Sequence, residues 1–257
     1  MFSNDARIHI YAWPERFLYL GPSTKTTSHR NHAATWLIAR EGTLRVTLSL
    51  GGEVLENQAI YLPSETEYAT DLAMSNIAAL YWEPESANFQ RAMANMENLP
   101  RAYDCPLASS GELLKLYEYQ TTRDEADDIL SRIFGFERMR ESEPSFVDSR
   151  INTALAFLRD SPQAYDSIEA LSARVHLSPS RFAHLFKKVV GVPVRRYVLW
   201  LKMRRALDLA IAGDSLTTAA LSAGFADSAH LSRSVRAMMG VAPEFLFRQR
   251  ERLIIHH

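Results

Sequence analysis

Residues 177–191 read Leu-Ser-Pro-Ser-Arg-Phe-Ala-His-Leu-Phe-Lys-Lys-Val-Val-Gly, and this stretch decides the fold of the second half of the chain. Ser178 and Pro179 are typical of a helix start, since a hydroxyl caps the first turn and proline needs no N–H there. Helical spacing predicts a buried face of Phe182, Leu185, Phe186 and Val189. The opposite face carries Ser180, Arg181, His184, Lys187 and Lys188. Gly191 then ends the helix.

A shorter helix is predicted directly before this one, with Ser167 or Asp166 as its N-cap and its end near His176. A short helix, a tight turn and a second helix with polar groups outward form a helix-turn-helix unit. The second helix of such a unit fits the major groove of DNA. His176 stands in the turn, and histidine tolerates a left-handed backbone better than a β-branched residue does.

The same arrangement recurs further along the chain. A short helix is predicted after Ser215, Gly224-Phe225 forms the turn, and a second helix starts at Asp227. This second helix turns outward Ala229, Ser232, Arg233 and Arg236. A long helix over about 194–212 lies between the two units and would fix the distance between their second helices. That distance lets both helices enter successive major grooves, about 34 Å apart on B-DNA.

The charge is divided unevenly along the chain. Residues 150–257 carry 16 Lys and Arg against 8 Asp and Glu, whereas residues 1–149 carry 13 against 22. The whole chain therefore has a formal net charge of −1 although its second half is basic. A basic half favours a polyanionic partner such as nucleic acid.

The first half alternates apolar and polar residues with the period of a half-buried strand. The clearest case is 44–50, where Gly51-Gly52 follows directly and supplies the positive φ angles of a tight hairpin. Further strands are predicted at 7–13, 35–41, 58–62 and 76–82. Many short strands separated by turns predict an antiparallel β-barrel or sandwich. Together with the helical second half, this gives an expected fold class of α+β.

Helices are predicted at about 110–138, where Thr122 and Glu125 form a capping box. These helices either cover an open side of the barrel or pair with a second subunit. The polar stretch 141–146, with Pro144, predicts the interdomain linker. We therefore divide the chain into a β-barrel domain at 1–140 and an all-α domain with two helix-turn-helix units at 147–257.

The second half resembles the AraC/XylS family of transcription regulators. The resemblance covers about 147–250 and rests on ordered, correctly spaced motifs: Leu177-Ser178-Pro179-Ser180, Leu185-Phe186-Lys187-Lys188, Gly191, Arg205-Ala206, Gly224-Phe225 and Gly240-Val241-Ala242-Pro243. The family's turn glycine is His176 here. The resemblance implies double-stranded DNA as a partner, RNA polymerase as a second partner if the protein is an activator, and a cupin-like effector domain in the first half.

The resemblance also implies which residues meet DNA. Base-contacting candidates are Ser180, Arg181, Ala183, His184, Ser228, Ala229, Ser232 and Arg233. Arg233 is the strongest of these, because a guanidinium binds guanine O6 and N7 bidentately. Phosphate-contacting candidates are Lys187, Lys188 and Arg236. Arg204 and Arg205 are interpreted as structural ion-pair partners or solvated residues.

The first domain could sense a small molecule. Five aromatic residues either line a ligand pocket or fill the core: Trp13, Trp36, Tyr61, Tyr81 and Trp82. A metal cupin needs a cluster of histidines with a carboxylate. His29 and His32 stand together in a region expected to be surface or loop, and 64–68 supplies no second histidine pair. We therefore predict no metal and no cofactor.

Other classes of protein are disfavoured by the sequence. A single cysteine, Cys105, excludes a disulfide framework, and the chain has no nucleotide-binding glycine loop and no His-Glu-x-x-His motif. No apolar run is long enough to span a membrane and no signal pattern opens the chain, so we expect a cytoplasmic protein. Because no catalytic motif is found, we expect no catalytic residues. The alternatives are a metal-dependent cupin enzyme with a DNA-binding appendage, and a regulator controlled by a protein partner. His256 and His257 receive no role.

Overall fold

The first half of the molecule is built from two β-sheets. The computed structural model describes residues 7–71, 76–94, 97–103, 112–118, 121–134, 148–243 and 250–256. The strands are β1 Ile8–Trp13, β2 Arg16–Pro22, β3 His29–Arg30, β4 Ala34–Ala39, β5 Leu44–Leu48, β6 Val54–Asn57, β7 Ala59–Leu62, β8 Glu67–Thr70, β9 Asn76–Trp82, β10 Arg101–Tyr103 and β11 Leu253–His256. All five predicted strands are present.

One sheet has seven strands in the order β10-β7-β4-β9-β2-β1-β11, and the other has four in the order β3-β8-β5-β6. Strand pairs are antiparallel, except that β11 runs parallel to β1. The β-rich first half is confirmed. The pairings between described strands form two sheets and do not join them into a closed barrel.

The second half is helical, as predicted, and the described part of the first half contains helices as well. The helices are α1 Ala87–Met93, α2 Glu112–Glu118, α3 Arg123–Phe134, α4 Ser149–Asp160, α5 Ile168–Arg174, α6 Pro179–Val190, α7 Val194–Ala212, α8 Leu216–Ser222 and α9 Ser228–Met239. No helix in the described ranges is long and apolar enough to cross a membrane.

Local chemistry explains where these helices begin and end. Ser178 accepts a hydrogen bond from the Arg181 amide at the start of α6, and Asp227 accepts one from the His230 amide at the start of α9. Gly191 and Gly240 end the same two helices in the left-handed conformation. His176 has a φ of 53°, so the turn before α6 is left-handed at the histidine.

The predicted helices at 110–138 correspond to α2 and α3 as far as Phe134. The capping box is present, since the Thr122 amide donates to Glu125 Oε2 at 2.7 Å and the Glu125 amide donates to Thr122 Oγ1 at 3.3 Å. The apolar stripe of α3 packs into the core of the sheet domain through Ala126, Ile129, Leu130 and Ile133. The stripe thus covers the sheet. The predicted linker at 141–146 lies outside the described residues.

The helical domain has a single core, to which α6 contributes Phe182 and Phe186 with 0% exposure. Replacing a buried phenylalanine by alanine leaves a cavity and typically costs about 3–5 kcal/mol. We expect Phe186→Ala to lower the free energy of unfolding by that amount in denaturant titrations. Leu221→Ala is the control, because Leu221 is 56% exposed and its truncation should cost little. An equal loss in both variants would contradict the assigned core.

Candidate nucleic-acid interface

The helices α5 and α6 form the first helix-turn-helix unit, and α8 and α9 form the second. On α6 the predicted DNA contacts lie on the outer face: Ser180, Arg181, His184, Lys187 and Lys188 are exposed and Ala183 is half-buried. On α9, Ala229, Arg233 and Arg236 are exposed, whereas Ser228 and Ser232 are half-buried. The second helix of each unit therefore has an apolar inner face that packs in the core and an outer face that presents polar and basic side chains to solvent.

The long helix α7 connects the two units and shares a core with both. Its 19 residues span about 28 Å at 1.5 Å per residue. Val194 and Tyr197 lie in one cluster with Phe186 of α6, and the same cluster includes Leu231 and Val235 of α9. A shared core restricts independent movement of the two units, so the outer faces of α6 and α9 are held in one arrangement.

A buried carboxylate joins the helical domain to the sheet domain. Glu83 follows β9, and its side chain is 2% exposed. Arg159 of α4 donates to Glu83 at 3.2 Å, Trp200 Nε1 of α7 donates at 3.3 Å, and Arg204 of α7 forms a close ion pair with the same carboxylate. Arg204 also donates to the Pro14 carbonyl at 3.3 Å. The interpretation of Arg204 as an ion-pair partner therefore agrees with the structure.

A second buried pair lies beside the first. His32 Nε2 is 3.0 Å from Glu85 Oε2, both side chains are fully buried, and Arg159 donates to Glu85 at 3.4 Å. Burial alone would lower the pKa of His32, but Glu85, with help from Glu83 and Glu65, raises it above the usual value. Burial opposes the charge of Glu85 as well, yet His32 and Arg159 hold its pKa at about 2. Both shifts favour the ionised form of the pair.

The end of α9 also rests on the sheet domain. The Thr27 amide donates to the Gly240 carbonyl at 3.1 Å. A Cβ at Gly240 would lie 2.5 Å from His29 Nδ1 and 2.8 Å from the Thr27 carbonyl oxygen, so glycine permits this close approach. Near the start of α7, Arg196 pairs with Glu65 at 3.0 Å. The sheet domain therefore contacts the helical domain at the end of α9 and again near the start of α7.

A cavity of about 170 Å³ lies between the two domains. The sheet domain lines it mainly with apolar and aromatic groups, among them Ile10, Phe17, Tyr19, Leu37 and Tyr81. The helical domain contributes Arg204, Leu207, Asp208, Ile211, Met239 and Val241, and β11 contributes Leu253. A mostly apolar cavity with a few charged groups is typical of a small-molecule site.

Of the five aromatic residues for which the sequence leaves pocket and core as alternatives, Tyr81 alone lines this cavity, where its ring stacks on Phe17 with the centroids 4.5 Å apart. Trp36, Tyr61 and Trp82 pack in the core of the sheet domain, with ring centroids of Trp36 and Tyr61 4.6 Å apart. Trp13 is half-buried beneath the guanidinium of Arg16. The rings contact one another because they lie on the face of the sheet that α1 and α3 cover.

His29 and His32 are buried, contrary to the expectation of a surface or loop position. His29 Nδ1 lies 2.9 Å from the Thr27 carbonyl oxygen, and His32 pairs with Glu85. The described residues contain no group of three or more His, Cys, Asp or Glu suited to a metal ion. Sequence reasoning missed Glu83 and Glu85, since acidic residues after a strand carry no local signal of a distant arginine.

Comparison with known proteins concerns chiefly the helical domain. Residues 171–249 match the helix-turn-helix domain family. The HTH-type transcriptional activator RhaS of Escherichia fergusonii is 35% identical over 98 residues, which are 38% of this chain. The match spans 35% of the length of RhaS.

The whole chain is similar in fold to ToxT of Vibrio cholerae. One ToxT structure, from strain O395, has a TM-score of 0.61 at 13% identity and covers 92% of this chain and 98% of that chain. Another, from strain SCE256 and bound to an unsaturated fatty acid, has a TM-score of 0.55 at 12% identity and covers 96% of this chain and 97% of that chain. The likeness establishes the two-domain fold.

The ion pair of His32 makes the stability of the folded protein depend on pH. Because the folded-state pKa of His32 is raised, its contribution is fully present below pH 6.5 and is lost as the pH rises through the raised pKa. We expect the Tm of the unaltered protein to exceed that of His32→Gln most at pH 6, with the difference shrinking toward pH 9. His184→Gln, on the exposed face of α6, is the control and should show no such trend. A difference that grows with pH would contradict the assignment.

Proposed function

We propose that the chain is a transcription regulator of the AraC/XylS family that binds specific DNA sequences, a proposal supported by the match of residues 171–249 to the helix-turn-helix domain family and by the similarity to RhaS. One observation carries the proposal: α6 and α9 present exposed polar and basic faces while α7 shares a core with both. Two helices held in this way can enter successive major grooves. The protein would act in the cytoplasm and, as an activator, would also contact RNA polymerase.

The side chains on the two faces have different roles in this proposal. Ser180, Arg181, Ala183 and His184 of α6 meet base edges in one groove. In the next groove the contacts come from Ser228, Ala229, Ser232 and Arg233 of α9. Lys187, Lys188 and Arg236 neutralise phosphates, which positions the protein without specifying sequence.

Selection of binding sites from a random DNA pool tests this function directly. With the full chain at about 150 mM salt, non-specific phosphate binding is suppressed. We expect enrichment of two short sequence blocks separated by about one helical turn, one block for each recognition helix. Failure to enrich any sequence, with and without candidate effectors, would overturn the proposal.

Variants of α9 and α6 separate base contact from phosphate contact. We expect Arg233→Ala to relax the preference at one base position at a cost of about 1–3 kcal/mol, because a bidentate guanine contact is lost. Lys187→Ala is the matched comparison and should weaken binding evenly across sequences while reducing the salt dependence. Titrations against the selected site and its single-base variants measure both effects. Even weakening by Arg233→Ala would contradict its role in base contact.

The interdomain cavity is proposed as the effector site of a cupin-like sensing domain. Its wall is apolar apart from a few groups, which include the cation Arg204 and the carboxylate Asp208, both supplied by α7. The ToxT structure with an unsaturated fatty acid supports a ligand that combines an apolar body with a carboxylate. Because the ligand would touch both domains, its binding would alter how the helical domain is held. A separate proposal concerns the oligomeric state: two copies of the chain would form a homodimer through α2 and α3.

Filling the cavity tests the effector site. We expect monocarboxylic acids of 8–16 carbons to raise the Tm of the unaltered protein, and the corresponding alcohols to raise it less. Leu207→Trp places a large ring in the cavity from α7 and should abolish the shift. Leu221→Trp adds the same ring at an exposed position and should keep it. A Tm increase that survives Leu207→Trp would show that the acid binds outside the cavity. No Tm increase with any acid would exclude carboxylic acids as the effector class.

A further inference from the structure

The strand β11 returns from the helical domain to the sheet domain. It pairs in parallel with β1, with Ile8 opposite Leu253 and Tyr11 opposite His256. It is the outermost strand of the seven-stranded sheet at this edge, and all four of its residues are half-buried. A four-residue edge strand with a neighbour on one side is held by few hydrogen bonds, so it can separate at a lower cost than an inner strand.

The two faces of β11 have different surroundings. Leu253 lines the interdomain cavity on the same face as Ile10 of β1. His256 lies on the opposite face, where its ring stacks on Tyr11 with the centroids 4.1 Å apart and the planes inclined by 7°. One face of the strand therefore forms part of the cavity wall. The other face contacts β1 through the stacked rings of His256 and Tyr11.

On the same face as Tyr11, two titratable rings are in contact, those of His9 in β1 and His256 in β11. His9 Nδ1 lies 3.1 Å from His256 Nε2, and the ring centroids are 5.3 Å apart. At this distance one nitrogen must donate and the other accept, so at least one ring has to be neutral. Two imidazolium ions here would repel each other, because a like charge at hydrogen-bonding distance disfavours the charged form of each ring.

The surroundings of the pair offer little compensation for a second positive charge. Arg7 precedes β1 and its charge opposes protonation of His9, and Leu20 of β2 stands opposite His9. Arg252 precedes β11. The acidic groups on neighbouring elements are Glu125 of α3, which acts on Tyr11, and Glu251 in the turn before β11.

We propose that residues 253–256 form a detachable cover of the interdomain cavity, which the neutral His9–His256 pair holds in place and acidification releases. At neutral pH the strand completes the sheet and closes the wall at Leu253. When the imidazoles take up protons the pair separates, β11 leaves β1, and this side of the cavity opens. Closure is thereby coupled to pH through groups that lie outside the DNA-binding faces.

The pKa directions agree with this geometry. Burial and then the nearby His256 and Arg7 lower the pKa of His9, and burial lowers that of His256. A histidine whose pKa is lowered on docking stabilises the docked state above its free value of 6.5, and that contribution is lost as the pH falls. Docking is therefore firm at pH 7.5 and weakened at pH 5.5.

Hydrogen–deuterium exchange of the full chain tests the proposal. After correction for intrinsic exchange rates, we expect those amides of 253–256 that donate to β1 to be protected at pH 7.5. Protection at pH 5.5 should fall, by at most about tenfold for each imidazole that must be neutral, because pH 5.5 lies one unit below the free pKa value. Peptides from β9, an inner strand of the same sheet, serve as the reference and should keep their protection.

Variants separate titration from packing. The double variant His9→Leu and His256→Phe keeps apolar and aromatic groups at the two positions but cannot take up protons there, so its protection should be the same at both pH values. Each single variant should show a smaller loss than the unaltered protein. Equal protection of the unaltered protein at both pH values, no protection at pH 7.5, or an undiminished loss in the double variant would overturn the proposal.

A second measurement reports the cavity. Removal of 253–257 should raise the fluorescence of anilinonaphthalene sulfonate at pH 7.5 to the level that the full chain reaches at pH 5.5. The β9 peptides of the truncated protein establish that the sheet remains folded. No rise on truncation would show that the strand does not cover the cavity and would overturn that part of the proposal.

Discussion

The molecule depends on the buried carboxylate of Glu83. Three donors from the helical domain, on Arg159, Trp200 and Arg204, converge on this one side chain of the sheet domain. A buried charge is tolerated when it is fully partnered, and removal of one partner is costly because it leaves the other charge unpaired in a poorly solvated site. The interface therefore has a defined register, since a shift of either domain would leave Glu83 incompletely bonded.

The helix α7 links this interface to the faces proposed to bind DNA. It carries Trp200 and Arg204 on the side toward the sheet domain, and it shares its apolar residues with α6 and α9. Arg204 also lines the interdomain cavity. One rigid helix thus meets the ion cluster, the cavity and both recognition helices, so a change at the interface has a direct mechanical route to the surfaces proposed to meet DNA.

Sequence reasoning succeeded where the determinants are local. The cap at Ser178, the glycine stop at Gly191 and the alternation of 44–48 predicted α6 and β5 because each depends on residues a few positions apart. It failed where the determinants are distant. Glu83 and Arg159 are 76 positions apart, and the partner of β1 in β11 lies more than 240 positions along the chain. The aromatic residues gave an open alternative, pocket or core, and most of them lie in the core because α1 and α3 cover that face.

The parallel pairing of β11 with β1 also bears on solubility. An unpaired strand edge offers a row of free N–H and C=O groups, on which the strand of another molecule can add. In this protein the chain itself occupies that edge of β1 with its own residues 253–256. The edge that remains on this side belongs to β11, which has four residues, and so short an edge is a poor template for edge-to-edge aggregation of the larger sheet.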